Sequence, residues 1–127
     1  MASSVLDSSA VLAIINKEPG AEIVAGLIGD SLLSAVNFAE VITKLVERSG
    51  SLERAQKALA ILDLNVVDFD RDLAEQAGGL AAQTKVRGLS LGDRSCLALA
   101  LRERVPAVTG DRAWQDIKLG IEVRLFR

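Results

Sequence analysis

Short apolar runs alternate with longer amphipathic stretches along the whole chain, and that alternation predicts the elements in turn. Residues 4–6 read as a strand closed by Asp7. Ser8 or Ser9 can cap a helix reaching about residue 17, where Pro19-Gly20 breaks it. A short helix over about 21–28 and the Gly29-Asp30 turn lead into a second strand at 31–35. Helical spacing over 36–49 stops at Gly50, and Ser51 caps a further helix to about residue 62, with Arg54 where a capping box would place Glu. The Val-rich stretch 65–69 is the third strand. Asp70 caps a long helix to about residue 86, weakened by Gly78-Gly79; a turn at 87–89 precedes another helix over 90–104. Residues 106–109 form the fourth strand, 111–117 a short helix and 121–126 the last strand. Strands alternating with helices imply an α/β fold, a parallel sheet covered on both faces and joined by right-handed crossovers.

The 127 residues suit one domain with no linker or repeat. Half are hydrophobic and a quarter charged, with only 3% aromatic, which favours helices on a buried sheet over a β-sandwich. The N-terminus lacks the basic start of a secretory signal, and no window is long and apolar enough to span a membrane, so the expectation is a cytoplasmic protein. The one cysteine, Cys96, lies in an apolar run and reads as a small buried hydrophobe; no spacing suggests zinc. A net charge of −2 does not carry the basic footprint of most nucleic-acid binders. It leaves room for a nuclease whose metal neutralises phosphate locally.

The acids are the residues that could do chemistry, since histidine and tyrosine are absent. In a parallel α/β sheet the site lies beyond the carboxyl ends of the strands. Asp7, Asp70 and Asp111 follow strands and stand at that edge, whereas Asp30 and Asp63 precede strands and belong to the opposite one. Glu40 lies a little over a turn into the helix leaving the second strand, near the same edge. Each acid also has a plain structural explanation. Asp7, Asp70 and Asp111 can be helix N-caps, worth about 1 kcal/mol each. Ser90-Leu91-Gly92-Asp93 has capping-box spacing. Glu40 shares a helix face with Asn37, Lys44 and Glu47, opposite Phe38, Ile42 and Leu45, as a solvated face would. Asp93 is harder to dismiss, because the helix that follows it is apolar nearly all round and a carboxylate at its mouth needs partners. Four clustered carboxylates would repel unless one took a proton or a cation joined them. All-oxygen ligation suits Mg²⁺, Mn²⁺ or Ca²⁺ and argues against zinc. Phosphodiester hydrolysis through a metal-bound hydroxide is the chemistry such a cluster most often serves.

Four segments carry a family resemblance: Val5-Leu6-Asp7-Ser8-Ser9-Ala10, Ser34-Ala35-Val36-Asn37-Phe38-Ala39-Glu40-Val41, Leu89-Ser90-Leu91-Gly92-Asp93-Arg94 with its apolar helix, and Val108-Thr109-Gly110-Asp111-Arg112-Ala113-Trp114. In this order and spacing the chain resembles PIN-domain ribonucleases, and more narrowly the VapC toxins of VapBC type II toxin–antitoxin pairs. The resemblance implies a single three-layer α/β/α domain over 1–127, with a five-stranded parallel sheet in the order 3-2-1-4-5. It maps the family's acidic quartet onto Asp7, Glu40, Asp93 and Asp111, the residues that would be both catalytic and metal-ligating. Asp116 could serve as a further acid or be a surface residue. Ser9 and Asn37 would orient the carboxylates. The resemblance further implies an endoribonuclease dependent on Mg²⁺, with Mn²⁺ able to substitute, that cuts structured RNA such as tRNA. It implies a homodimer and a cognate antitoxin that wraps the toxin and places a basic side chain near the acids.

Other residues have two readings each. Arg94 and Arg112 directly follow site acids and could contact RNA phosphates or balance charge, and Lys85 and Arg87 could join them. Trp114 could stack on a base or pack internally. Ile14, Ile15, Ile23 and Leu27 could form a docking groove or be core. Rival functions also stand. An aspartyl phosphatase would want a second acid where Ser9 is, and a metal-dependent adhesion motif would want Ser where Val11 is. A non-enzymatic, purely structural interaction module whose acids only cap helices is the third.

Overall fold

The structure is a computed structural model and describes residues 2–127. Strands β1 (Ser4–Leu6), β2 (Ser31–Ser34), β3 (Asn65–Val67), β4 (Ala107–Thr109) and β5 (Val123–Leu125) form one parallel sheet in the order β3-β2-β1-β4-β5. That is the order the resemblance implies. In the register, Leu6 lies opposite Leu33 on one side and Val108 on the other. The chain leaving β1 and the chain leaving β4 therefore emerge side by side.

Helices α1 (Ser8–Asn16), α2 (Ala21–Leu27), α3 (Ala35–Ser49), α4 (Leu52–Ala60), α5 (Arg71–Gly79), α6 (Ala81–Thr84) and α7 (Leu91–Glu103) complete the domain. Consecutive strand residues face opposite ways, and β1 is buried on both sides. Leu6 belongs to one core, with Val11 and Ala13 of α1, Val24, Val41, Leu45 and Leu59. Val5 belongs to the other, with Leu73 and Ala77 of α5 and the run Cys96–Ala100 of α7. The result is three layers, α/β/α. Ile14, Ile15 and Leu27 pack half-buried against the first core, as the core reading holds, while Ile23 is 52% exposed. Among the described residues, no helix is long and apolar enough to cross a membrane.

Several predicted boundaries shift for identifiable reasons. Asp7, rather than Ser8 or Ser9, caps α1: its backbone is extended and its carboxylate accepts the Ala10 N–H. The second strand stops at Ser34 because that hydroxyl accepts from Val36 N and starts α3. The long helix expected from Asp70 ends at Gly79, and α6 and a 3₁₀ turn (Lys85–Arg87) follow. Paired glycines leave the backbone there without side chains to hold it helical. The expected helix at 111–117 shrinks to one 3₁₀ turn, Arg112–Trp114, since Asp116 takes a left-handed φ of 62° that no right-handed helix contains.

Candidate active site

At the carboxyl edge of the central strands, Asp7 leaves β1 and its side chain turns inward, only 4% exposed. Its Oδ1 accepts from the Ser9 hydroxyl at 2.6 Å and from Ala10 N at 3.0 Å, and its Oδ2 accepts from the Thr109 hydroxyl at 2.5 Å. Both hydroxyls are in turn held by the loop leaving β4. Ser9 Oγ accepts from Gly110 N at 3.0 Å, and Thr109 Oγ1 accepts from Asp111 N at 3.0 Å. The parallel register makes this possible: with Leu6 beside Val108, the next residues along, Asp7 and Thr109, meet. Burial is the strongest influence on the Asp7 carboxyl, pushing it up from 3.8 to about 6 against the pull of the Ser9, Thr109 and Ala10 hydrogen bonds, with Asp93 adding to the rise.

Glu40 and Asp93 come from α3 and α7. Asn37, one turn before Glu40, is buried and donates both to Glu40 Oε1 at 2.8 Å and to the Gly92 carbonyl at 3.0 Å. The expected solvated face of α3 is thus turned onto α7 at Asn37 and Glu40. Asp93 occupies the capping box at the start of α7: Ser90 N donates to its Oδ2 at 2.8 Å, and its own N–H donates to Ser90 Oγ at 3.2 Å. Asp7, Asp93 and Glu40 all lie close enough to the buried Cys96 to reinforce the effect of burial, which pushes its thiol well above the ordinary range. Three of the four predicted acids thus lie on one side of the domain, each within electrostatic reach of the same thiol.

Asp111 joins them less directly. Its backbone N–H enters the Thr109 network, but its carboxylate caps the 3₁₀ turn, accepting from Ala113 N at 2.9 Å, and is exposed. Asp116 is exposed on the segment beyond. Among the described residues, no three acidic side chains converge closely enough to hold an ion as they stand. The donor chemistry nevertheless fits a hard divalent cation. The donors are all oxygens, a buried carboxylate sits in an environment that resists its charge, and Asn37 Oδ1 is buried without a partner among the described residues, an acceptor that an ion's bound water can satisfy.

The basic residues divide. Arg94 is engaged, with its guanidinium donating to Ala77 O of α5 at 3.3 Å and to Ser90 O. Arg87 donates to the carbonyls of Ala113 and Gln115 and so holds the segment after Asp111. Arg112 is exposed and donates to Arg127 O at 3.3 Å. Trp114 is wholly buried in the second core, so base stacking is excluded and the packing reading stands. Two residues of the site carried no role in the sequence reading. Thr109 was visible only as a Thr two before Asp111, and its partner is known only once strand order is. Gly92, in the first turn of a helix, was a signal by its low helix propensity.

The PIN domain family matches residues 4–119. Comparison with curated proteins gives no match. Among solved structures, DNA-bound VapBC from Salmonella typhimurium is similar over all of both chains, at a TM-score of 0.77 and 22% identity. VapC20 of Mycobacterium tuberculosis, a toxin that cleaves the sarcin–ricin loop, is similar over 94% of this chain and 99% of its own, at a TM-score of 0.72 and 22% identity. VapBC2 of Rickettsia felis bound to promoter DNA is similar over 96% of this chain and 97% of its own, at a TM-score of 0.72 and 21% identity. With the family matched over nearly its whole length, and with the strand order and central acidic edge described above, the chain belongs to the PIN-domain family.

Proposed function

We propose that the protein is a metal-dependent endoribonuclease acting as the toxin of a VapBC-type pair. The observation that carries this reading is Asp7: a buried carboxylate at the end of the central strand, held by two hydroxyls and close enough to Asp93 to feel its charge. Asp7 also caps α1 and ties β1 to β4, but an N-cap does not need a carboxylate buried against its own charge. Asp7, Glu40, Asp93 and Asp111 would hold Mg²⁺, or Mn²⁺ in its place, with Asp116 as a further candidate. A bound ion supplies an acidified water and neutralises charge at the phosphate. The chain's own part is to fix the acids. Ser9 and Thr109 orient Asp7, the Ser90 capping box orients Asp93, and Asn37 orients Glu40. Arg112, exposed beside Asp111, would contact RNA backbone phosphates; Arg94 could do so only by giving up its carbonyl partners.

The similarity to VapBC complexes supports an antitoxin partner, and the similarity to VapC20 supports structured RNA as substrate; the homodimer is what the family resemblance implies. The test is cleavage of total tRNA and of a sarcin–ricin-loop hairpin by purified protein, with Mg²⁺, with Mn²⁺ and with chelator. Cleavage should need the ion and fall to background in Asp7→Asn and in Asp93→Asn while circular dichroism stays unchanged. Full activity of both variants refutes the assigned roles. Absence of cleavage of any RNA with either ion favours the non-enzymatic interaction module instead. Co-purification with the product of a small DNA-binding gene directly upstream would establish the partner.

A further inference from the structure

Glu40 reaches its place through a gap in α7. A Cβ built on Gly92 would meet the Glu40 carboxylate at once, with Oε2 at 2.3 Å and Cδ and Oε1 at 2.6 Å. The carboxylate occupies the volume that any side chain at 92 would take. Asn37 closes the arrangement from the other side, its Nδ2 shared between Glu40 Oε1 and the Gly92 carbonyl while the side chain is only 1% exposed. Intrinsic preference runs against glycine here, by about 1 kcal/mol relative to alanine inside a helix. Gly92 has φ outside the left-handed region, so no backbone demand explains it. The close approach of the acid does.

We infer that Gly92 and Asn37 together form the seat of Glu40 and are positioning residues for it. Gly92 acts by lacking a side chain, and Asn37 by bridging the acid of α3 to the backbone of α7. The inference rests on the reading of Glu40 as a site acid. Because Gly92 directly precedes Asp93, and the capping box pins that turn, the seat also sets the relation between the two carboxylates. A methyl group at 92 strikes the far end of a flexible side chain rather than backbone. It should therefore move the acid and leave the fold standing.

The experiment compares wild type, Gly92→Ala, Glu40→Ala, the double variant and Asn37→Ala in the full chain, with two readouts. The first needs no metal. In ¹⁵N-labelled wild type the Asn37 side-chain amide should give a resolved pair that exchanges slowly with solvent, and in Gly92→Ala the pair should shift and exchange faster. The second is calorimetric titration with Mn²⁺. Gly92→Ala and Asn37→Ala should each weaken binding by about 10- to 100-fold, and Gly92→Ala should add no further loss in the Glu40→Ala background. An unchanged amide pair in Gly92→Ala, or additive losses in the double variant, overturns the inference. A wild type with a protected amide pair that takes no Mn²⁺ overturns the metal-site reading and leaves the seat intact. Should Gly92→Ala not fold, the amide pair in wild type and the Mn²⁺ affinity of Asn37→Ala still decide.

Discussion

Asp7→Asn should abolish RNA cleavage and at the same time stabilise the metal-free protein. The carboxyl is 4% exposed, and its rise from 3.8 to about 6 corresponds to about 3 kcal/mol at ~1.4 kcal/mol per tenfold change in proton affinity. A raised carboxylate means that the native state holds the proton more tightly than the unfolded chain. The stabilisation linked to it is fully present below about pH 4 and is lost as pH rises through about 6, so above that pH the native protein carries the whole penalty. The amide has no charge to desolvate and keeps an oxygen to accept from Ser9 and Ala10. It forfeits the charged acceptor for the Thr109 hydroxyl, which trims the gain. An increase of about 1–3 kcal/mol is expected at pH 7.5, which in a chain of this size raises Tm by roughly 4 °C per kcal/mol. Urea unfolding at pH 7.5 and pH 4, with divalent ions chelated, measures it. The variant should lead the wild type at the higher pH and draw level at the lower. Added Mg²⁺ should stabilise the wild type alone. A variant less stable than wild type at pH 7.5 would refute the idea that Asp7 is held charged against its surroundings.

Three further outcomes follow from the same geometry. Thr109→Val removes a hydroxyl that serves Asp7 and Asp111 N together; it should cost about 1–3 kcal/mol in thermal unfolding, while Thr109→Ser should recover most of that loss. Cys96, buried with Asp7, Asp93 and Glu40 nearby, should resist an aromatic disulfide reagent in the native protein at pH 8 and react fully in denaturant. Trp114→Ala should lower stability by about 3–5 kcal/mol as a core truncation, and Trp114→Phe, if folded, should leave the KM for RNA unchanged; a raised KM would restore a role in substrate contact.

Periodicity was enough for most of the fold because burial is two-sided. Val5 and Leu6 point into different cores, and the helices between strands carry their apolar stripes in plain view. The ends of elements were less legible where local chemistry competes. Asp7, Ser8 and Ser9 all qualify as caps in the sequence, and the fold decides among them: Asp7 caps and faces inward at once. The segment after Asp111 looks helical because nothing local announces that Asp116 turns left-handed. In the site, the positions of Asp7, Asp93 and Glu40 could be read from strand ends and helix starts. Their supports could not. Thr109 meets Asp7 only through a pairing between strands a hundred residues apart, and the value of Gly92 lies in an absence that acquires meaning when α3 and α7 are packed together.

The hydroxyl that grips Asp7 bears on the moment at which the site becomes complete. Asp7, Glu40 and Asp93 all precede Thr109 in the chain, so each is made before the hydroxyl that completes the hold on the first. A nascent chain still lacking β4 holds Asp7 only at Oδ1, through Ser9 and Ala10 N, and has no neighbour on the β4 side to keep β1 central in the sheet. On the proposed function, cleavage competence waits for β4 to pair with β1, so a chain not yet extended that far is harmless to the ribosome producing it.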